Sequence, residues 1–420
     1  MKSPLLLYCI AATAAAAEPL KLDFAEAVQR LARQNPDLLV ARKNLEGARF
    51  SYRAAYAGFL PQVTAGLNYT QGNSATTAQL AAIRGTYELY SASLGVSQNI
   101  FSGLADYYKI KQARANAELS EATYTQTAAR VFYELKAAWS QLQLARAQHE
   151  LALETRARRL ENVRMIRLRF NAGNENKGSL LLAESYLAQA ERDVNQALRQ
   201  KLTAEGELKR VLNLPAEQEI FAEGSISSKT PPEAIDLAEL SKQTPEYRQA
   251  LAQELNAEAT ADAAISPFFP TLNASGSILR QGTTFFPEGD RWSVSFAVSY
   301  PLFSGGKDYY ALKANHSAHE AAKRNRESVA LARAARLQQA LQTWRDALEA
   351  VKVSEALLEA SSVRARIARA KYNNGLLSFD QWDIIENDLI NRQKGVLQAR
   401  YDLEIAQATW EQLTGEGPSL

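Results

Sequence analysis

Residues 104–169 contain neither proline nor glycine, and no other feature limits this chain so strongly. As a helix, that stretch would extend about 100 Å at 1.5 Å per residue, several times the ordinary globular length. Apolar residues recur along it at alternating steps of four and three: Leu135, Trp139, Leu142, then Leu153, Leu160, Val163 and Phe170. A period near 3.5 predicts a left-handed supercoil with a partner helix. The turn Asn171-Ala172-Gly173 reverses the chain into a second helix. Its expected core is Leu180, Ala183, Leu187, Ala190, Val194, Ala197, Ala204, Leu208 and Val211, interrupted by Lys201. The product is a long antiparallel coiled-coil hairpin.

The hairpin is duplicated. An offset of 202 carries Phe101-Ser102-Gly103 onto Phe303-Ser304-Gly305, Asp106-Tyr107-Tyr108 onto Asp308-Tyr309-Tyr310, Gly173 onto Gly375 and Glu184 onto Glu386. Leu135, Trp139 and Leu142 become Leu337, Leu341 and Trp344. The second return helix has the expected core Trp382, Ile385, Leu389, Val396, Ala399, Leu403, Ala406, Trp410 and Leu413, interrupted by Arg392. One offset held from end to end marks structural duplication. A length that would otherwise suggest two or three domains therefore predicts one body built of two equal halves.

Residues 1–17 carry Lys2, the apolar Leu5-Leu6-Leu7 and an Ala-rich end, the pattern of a cleaved secretory signal peptide. The single cysteine, Cys9, lies inside it, so the mature chain needs neither disulfides nor thiolate chemistry. The formal charge of +2 falls to +1 without Lys2, which gives no support for nucleic-acid binding. Beyond the signal no run of 18 apolar residues occurs, so no transmembrane helix is expected. The stretch 216–235, with Gly224-Ser225, Ser227-Ser228 and Pro231-Pro232, reads as a linker between halves 18–215 and 236–420. Stacked end to end, the shorter helices on either side would match the long one, which sets the linker at mid-height.

A short amphipathic helix is expected over residues 22–34. Asn35-Pro36 then supplies an N-cap and a proline at the first helical position. The helix that follows runs to about Phe59, with core positions Leu38, Ala41, Leu45, Ala48, Tyr52, Ala55 and Phe59. Its copy lies 209 residues on, from Thr244-Pro245 through Tyr247, Ala250, Ala257, Ala261 and Ala264 to Phe268, and Pro61 and Pro270 end the two. Between those prolines and the Phe-Ser-Gly elements the period drops to two. Strands are expected at about 62–71, 90–101, 271–281 and 291–303, with helical hairpins at 104–213 and 306–414. Along them Val63, Ala65, Leu67 and Tyr69 alternate with Thr64, Gly66, Asn68 and Thr70; Trp292, Val294, Phe296 and Val298 alternate with Ser293, Ser295 and Ser299.

Two architectures suit such strands. A soluble hairpin would hide the apolar face on a core. An outer-membrane barrel would turn it to lipid and the small polar face to a lumen, and the strand length and Ser/Gly/Asn/Thr face favour this second one. Aromatics near the strand ends (Phe59, Tyr69, Tyr90, Phe101, Trp292, Tyr300, Phe303) would supply interfacial girdles. Four strands cannot close a barrel, and lipid tolerates no open edge, so the chain must oligomerise. Small inward residues favour twelve strands from three chains over a solid barrel of eight.

The signal peptide, the duplicated order of helix, two strands, long helix and return helix, the Asn-Pro start, the Phe-Leu-Pro before the first strand and the Phe-Ser-Gly after each hairpin together resemble the TolC-type outer-membrane efflux family. The resemblance covers almost the whole mature chain. It implies a mainly α fold with a membrane β-hairpin pair, in which three chains form a 12-stranded β-barrel on a 12-helix α-barrel. It further implies an exit duct of a tripartite efflux or type I secretion system. A homotrimer in outer-membrane lipid would work there with a periplasmic adaptor (membrane fusion) protein and an inner-membrane transporter, passing small molecules or polypeptides outward.

By that resemblance the hairpin turns meet the adaptor, through Asn171, Gly173 and Asn174 in one and Asn374, Gly375, Leu376 and Ser378 in the other. As plain chemistry they are αα-turns in which each glycine ends a helix left-handed. Past the second turn come Asp380, Asp383, Glu386 and Asp388. Around a symmetry axis, inward carboxylates would form cation-attracting rings; as isolated groups they are acids that a helix N-terminus favours. Tyr372 matches a tip tyrosine of the family, and with Asp380, Asp383 and Glu386 it makes the candidate periplasmic gate. The family often has acids where this chain has Gln381 and Ile384, and some relatives have an arginine at Leu377, so its gate is not carried over whole. Both long helices turn basic near the turns (Arg156, Arg158, Arg159, Arg164, Arg167, Arg169; Arg364, Arg366, Arg369, Lys371), either as a solvated face or as a zone that pairs with adaptor acids.

No enzymatic chemistry is expected. The three histidines, His149, His316 and His319, lack the ligand set of a metal site, no cofactor motif is present, and no nucleophile elbow or phosphate loop occurs. The alternatives to a duct are a secreted or surface coiled-coil structural protein without a conducting pore and a soluble coiled-coil scaffold.

Overall fold

Asn35 shows how locally this chain specifies its elements. Its Oδ1 accepts from the Leu38 N–H at 3.1 Å, capping the helix that Pro36 begins, while its buried Nδ2 donates to the Val211 carbonyl at 3.0 Å. One side chain thus starts one helix and ties off the end of another. Asp23 acts similarly in a capping box with Glu26. A computed structural model describes residues 20–72, 87–224, 226 and 229–417; the expected signal peptide at 1–17 lies outside them.

In chain order the first half holds β1 (Leu20–Asp23), α1 (Phe24–Gln34), α2 (Pro36–Ala54) with a closing 3-10 turn (Ala55–Phe59), β2 (Gln62–Gly72), β3 (Tyr87–Ser102), α3 (Ala105–Asn171) and α4 (Lys177–Val211). The second half holds β4 (Ile220–Glu223), α5 (Leu237–Ser241), α6 (Pro245–Ala263) with its own 3-10 turn (Ser266–Phe268), β5 (Thr271–Gly282), β6 (Asp290–Ser299), α7 (Lys307–Asn373) and α8 (Phe379–Thr414). The fold is mainly helical, and α3 and α7 are each 67 residues long. The chain divides into a helical unit (1–39, 126–237, 335–420) and a sheet unit (40–125, 238–334).

In the helical unit, Val131, Leu135, Trp139 and Leu142 of α3 pack with Leu31 of α1, Leu208 and Val211 of α4, and Leu22, Ile220 and Ala222 of β1 and β4. Fully burying side chains of this kind contributes roughly 1.5–3 kcal/mol each. β1 and β4 pair in parallel, Leu20 with Ile220 through Asp23 with Glu223. The stretch expected to be linker therefore contains a strand. Four residues are too short to show alternation, and their partner lies some 200 positions away, so only the tertiary fold reveals them.

α3 packs against α8 as well as α4. Lys136 and Glu411 form a buried ion pair. Gln407 Nε2 donates to Glu411 at 3.0 Å, and Lys229 reaches the same carboxylate at 3.2 Å. Burial raises the Glu411 pKa, but the hydrogen bonds from Lys136 and Gln407 outweigh it and hold the group below its usual range. Further along α3 the packing departs from expectation: Leu153 and Leu160 are exposed, whereas Arg159 and Asn162 are buried with Val163 and Ile166. There the seam runs through polar side chains, and a search for apolar periodicity follows the wrong stripe.

In the sheet unit the strand order is β2-β3-β5-β6, with all neighbours antiparallel. The register aligns Val63 with Val96, Leu67 with Ala92, Leu94 with Ile278, Ile278 with Trp292 and Ala274 with Phe296, so these apolar residues of the four strands share one face, while Leu279, opposite Ser93, falls on the other. The other face carries Thr64, Asn68, Ser91, Ser93, Gly95, Ser275, Ser277, Ser293 and Ser295. Leu67 is 89% exposed and Trp292 80%, so among the described residues nothing covers the apolar face at those points. A bulge at 99–101 shifts the β3 register where the strand leaves the sheet. Gly103 follows at φ +63°, in a spot where a Cβ would lie 2.5 Å from the Ser266 carbonyl oxygen; only glycine fits.

Strands observed at 62–72, 87–102 and 271–282 lie close to expectation. The fourth ends at Ser299 rather than at 303, because Pro301 has no N–H for the ladder. Phe59 and Phe268, expected in helix cores, lie in the 3-10 turns that end those helices and are exposed.

The buried Lys136–Glu411 pair makes the first prediction. Lys136→Met strips a buried carboxylate of its main partner and lowers unfolding stability by roughly 3–5 kcal/mol. Adding Glu411→Leu recovers most of that loss in the same denaturant titration. The Glu411 contribution is present above the ordinary glutamate pKa and is lost as pH falls through the lowered folded value.

Candidate functional site

The two αα-turns of the helical unit are built alike. Gly173 and Gly375 both sit at φ +75°. The Gly173 N–H donates to the Phe170 carbonyl at 3.0 Å and the Asn174 N–H to Arg169 at 2.8 Å. The Gly375 and Leu376 N–H groups donate in the same way to Tyr372 and Lys371, at 3.0 and 2.9 Å. These bonds satisfy the last carbonyls of each long helix. Asn176 and Ser378 then cap the return helices, accepting from Ser179 and Gln381. All seven turn residues singled out from sequence, Asn171, Gly173, Asn174, Asn374, Gly375, Leu376 and Ser378, are exposed.

Behind the turns, Tyr372 is 2% exposed and stacked on Trp382, with centroids 4.6 Å apart and rings 7° from parallel. The Arg169 guanidinium lies 4.6 Å from the Tyr372 ring centroid, and its Nη1 donates to the Tyr372 carbonyl at 2.6 Å. The phenol donates to Glu175 Oε2 at 2.9 Å. Side chains from the first turn thus grip a ring of the second. Burial and then the Glu175 carboxylate push the Tyr372 pKa up to about 12, so the phenol stays a donor.

Of the candidate acids, Asp383 and Glu386 are buried and face α3. Arg159 pairs with Asp383 at 3.1 Å and donates to Asn387 Oδ1 at 2.6 Å, while Asn387 donates back to Asp383 at 2.9 Å. Arg159 also lies over the Tyr186 ring at 4.8 Å. Arg158 sits 3.6 Å from Glu386 and donates to Gln393 at 2.8 Å. Asp388 accepts from Ser361, and Asp380 is exposed, apart from the others. The structure therefore joins Tyr372 to Arg169 and Glu175, and Asp383 and Glu386 to two arginines read from sequence as part of a basic face. Arg159 lies two heptads past the buried Ala145, but its charge hides it from a search for apolar periodicity. Among the described residues no group of three or more His, Cys, Asp or Glu is placed to hold a metal.

A sequence profile described as Outer membrane efflux protein matches residues 27–214 and 237–416, one block in each half. Protein CyaE of Bordetella pertussis is 30% identical over 202 residues, 46% of this chain; the match spans 42% of that relative's length. Among solved structures, CusC is similar with a TM-score of 0.82 at 18% identity, over 94% of this chain and 92% of that one. VceC of Vibrio cholerae gives 0.80 at 16% identity, over 94% and 96%. At such identities the likeness is one of fold.

The Tyr372 environment predicts a specific alkaline response. Its folded pKa lies above the ordinary 10.0, so the unfolded chain releases the proton first. The stabilisation is whole below pH 10 and is lost as pH rises towards 12. Thermal unfolding of the wild-type chain, compared with Tyr372→Phe, shows a gap at pH 8 of about 0.5–1.5 kcal/mol that closes across that window.

Proposed function

The chain belongs to the outer membrane efflux protein family and is a protein of the bacterial outer membrane with a large periplasmic part; from that premise we propose that it is the exit duct of a tripartite efflux or type I secretion system. Three copies close a 12-stranded β-barrel on a 12-helix α-barrel, reached through a signal peptide at 1–17. The observation that carries this is the four-stranded sheet, apolar and exposed on one face, lined by Ser, Gly, Asn and Thr on the other. Among the described residues its outer strands β2 and β6 each have one neighbour. From the Arg280–Asp290 rung to the Thr271–Ser299 rung the ladder spans about 23 Å along the normal at a tilt near 40°, close to the height of an outer-membrane apolar band. Backbone groups at open edges cannot be left in lipid, so further copies must supply the missing partners.

The helical layer supports the same closure. α3 and α8 carry the ion pairs that join the halves, whereas α4 leaves Leu181, Leu182, Leu198 and Leu202 exposed and α7 leaves Val353, Leu357, Val363 and Ile367 exposed. Neighbouring protomers would cover these flanks.

The turns are then the periplasmic entrance. Asn171, Gly173, Asn174, Asn374, Gly375, Leu376 and Ser378 meet the adaptor, which couples the duct to an inner-membrane transporter. Tyr372, Asp380, Asp383 and Glu386 form the gate: Asp380 as an exposed ring of charge, the other three by pinning the hairpins through Arg169, Arg159 and Arg158.

Planar-bilayer conductance of the purified oligomer tests this, with its mass measured alongside. A trimer passing small, cation-preferring currents is expected, rising when Asp380→Asn, Asp383→Asn and Glu386→Gln are combined. Exchanging the charges of Arg159 and Asp383 should keep the currents small. Unchanged currents in the triple variant would remove the gate, and a trimer without conductance would remove the duct.

A further inference from the structure

The sheet unit carries a duplicated device at the base of its long helices. Five residues past the end of β3, Tyr107 and Tyr108 lie edge to face with centroids 5.4 Å apart, and Lys111 Nζ sits 5.1 and 5.6 Å from their rings. At the 202-residue offset, Tyr309 and Tyr310 repeat the arrangement at 5.4 Å, with Lys313 Nζ 4.8 Å from Tyr309. Tyr107 and Tyr309 are each 49% exposed and Tyr310 is 71% exposed; both lysines are exposed. Among the described residues neither ammonium has a carboxylate within 4.0 Å.

We propose that these two Tyr-Tyr-x-x-Lys turns form a collar that binds phospholipid headgroup phosphates of the leaflet nearest the helices, an assignment that rests on the membrane seat proposed above. Height is the first argument. Lys111 lies six residues beyond the start of α3 at Ala105, and Lys313 six beyond the start of α7 at Lys307, about 9 Å along each helix. The headgroup layer adds roughly 5–8 Å on each side of the hydrocarbon. Helical side chains lean towards the helix N-terminus, so both ammonium groups reach back towards the sheet and into that layer.

Chemistry is the second argument. Tyrosine combines an apolar ring body with a polar hydroxyl, which suits the interface between hydrocarbon and water. The ring faces hold each lysine by its positive charge without using a hydrogen-bond acceptor, so the N–H donors remain for an anionic oxygen. A phosphodiester supplies that charge at that depth. Repetition in both halves multiplies the contact around an oligomer.

The test titrates the detergent-purified full-chain oligomer with phosphatidylglycerol and counts bound lipid by native mass spectrometry. Lys111→Gln and Lys313→Gln are each expected to weaken the tightest sites about fivefold, while Lys111→Arg with Lys313→Arg retains them. Reconstitution into lipid nanodiscs reads the membrane seat separately. Insertion of the wild-type chain with unchanged lipid affinity in the Gln pair overturns the collar alone, and failure to insert overturns the membrane seat as well.

Discussion

In the helical unit, the packing of α3 on α8 joins what would otherwise be two copies of one hairpin. Each hairpin can form its own coiled coil, since both carry the same heptads and the same glycine turn. Joining them requires contacts that the duplication does not repeat. Lys136 with Glu411, Arg159 with Asp383 and Asn387, and Tyr372 between Arg169 and Trp382 are such contacts. At an offset of 202, Arg159 becomes Ser361, which bonds Asp388 instead. The helices are alike in sequence pattern and unlike in role: two are central, two are flanks.

Buried ion pairs are a costly way to join helices, because desolvation consumes most of the Coulomb energy. Their value lies in register. Apolar seams of Leu and Ala can slip by a heptad at modest cost, whereas an arginine that loses its carboxylate is left charged and dry. Pairs placed at Lys136 and again at Arg159 fix α3 against α8 at two heights.

The sheet obeys a different constraint. Its apolar face is exposed in the single chain, and its side chains alternate so regularly that a one-residue slip would place Leu67, Leu94 and Trp292 among the serines. Such a surface makes physical sense against lipid, and its partner face makes sense against water. The aromatic turns that follow the strands, with their lysines, extend the same amphipathic order from sheet into helix.

Length without proline or glycine, a 3.5-residue period, a 2-residue period and a constant offset were enough to write down the long helices, the four main strands, both turns and the caps at Asn35 and Thr244. These are local signals, set by backbone sterics and by which face must leave water. The tertiary structure alone decided the β1–β4 pairing, the exposure of Leu153 and Leu160, and the partners of Tyr372, Asp383 and Glu386. In each of those cases the deciding contact joins residues far apart in the chain or replaces apolar packing with charge, and neither leaves a period for a sequence to display.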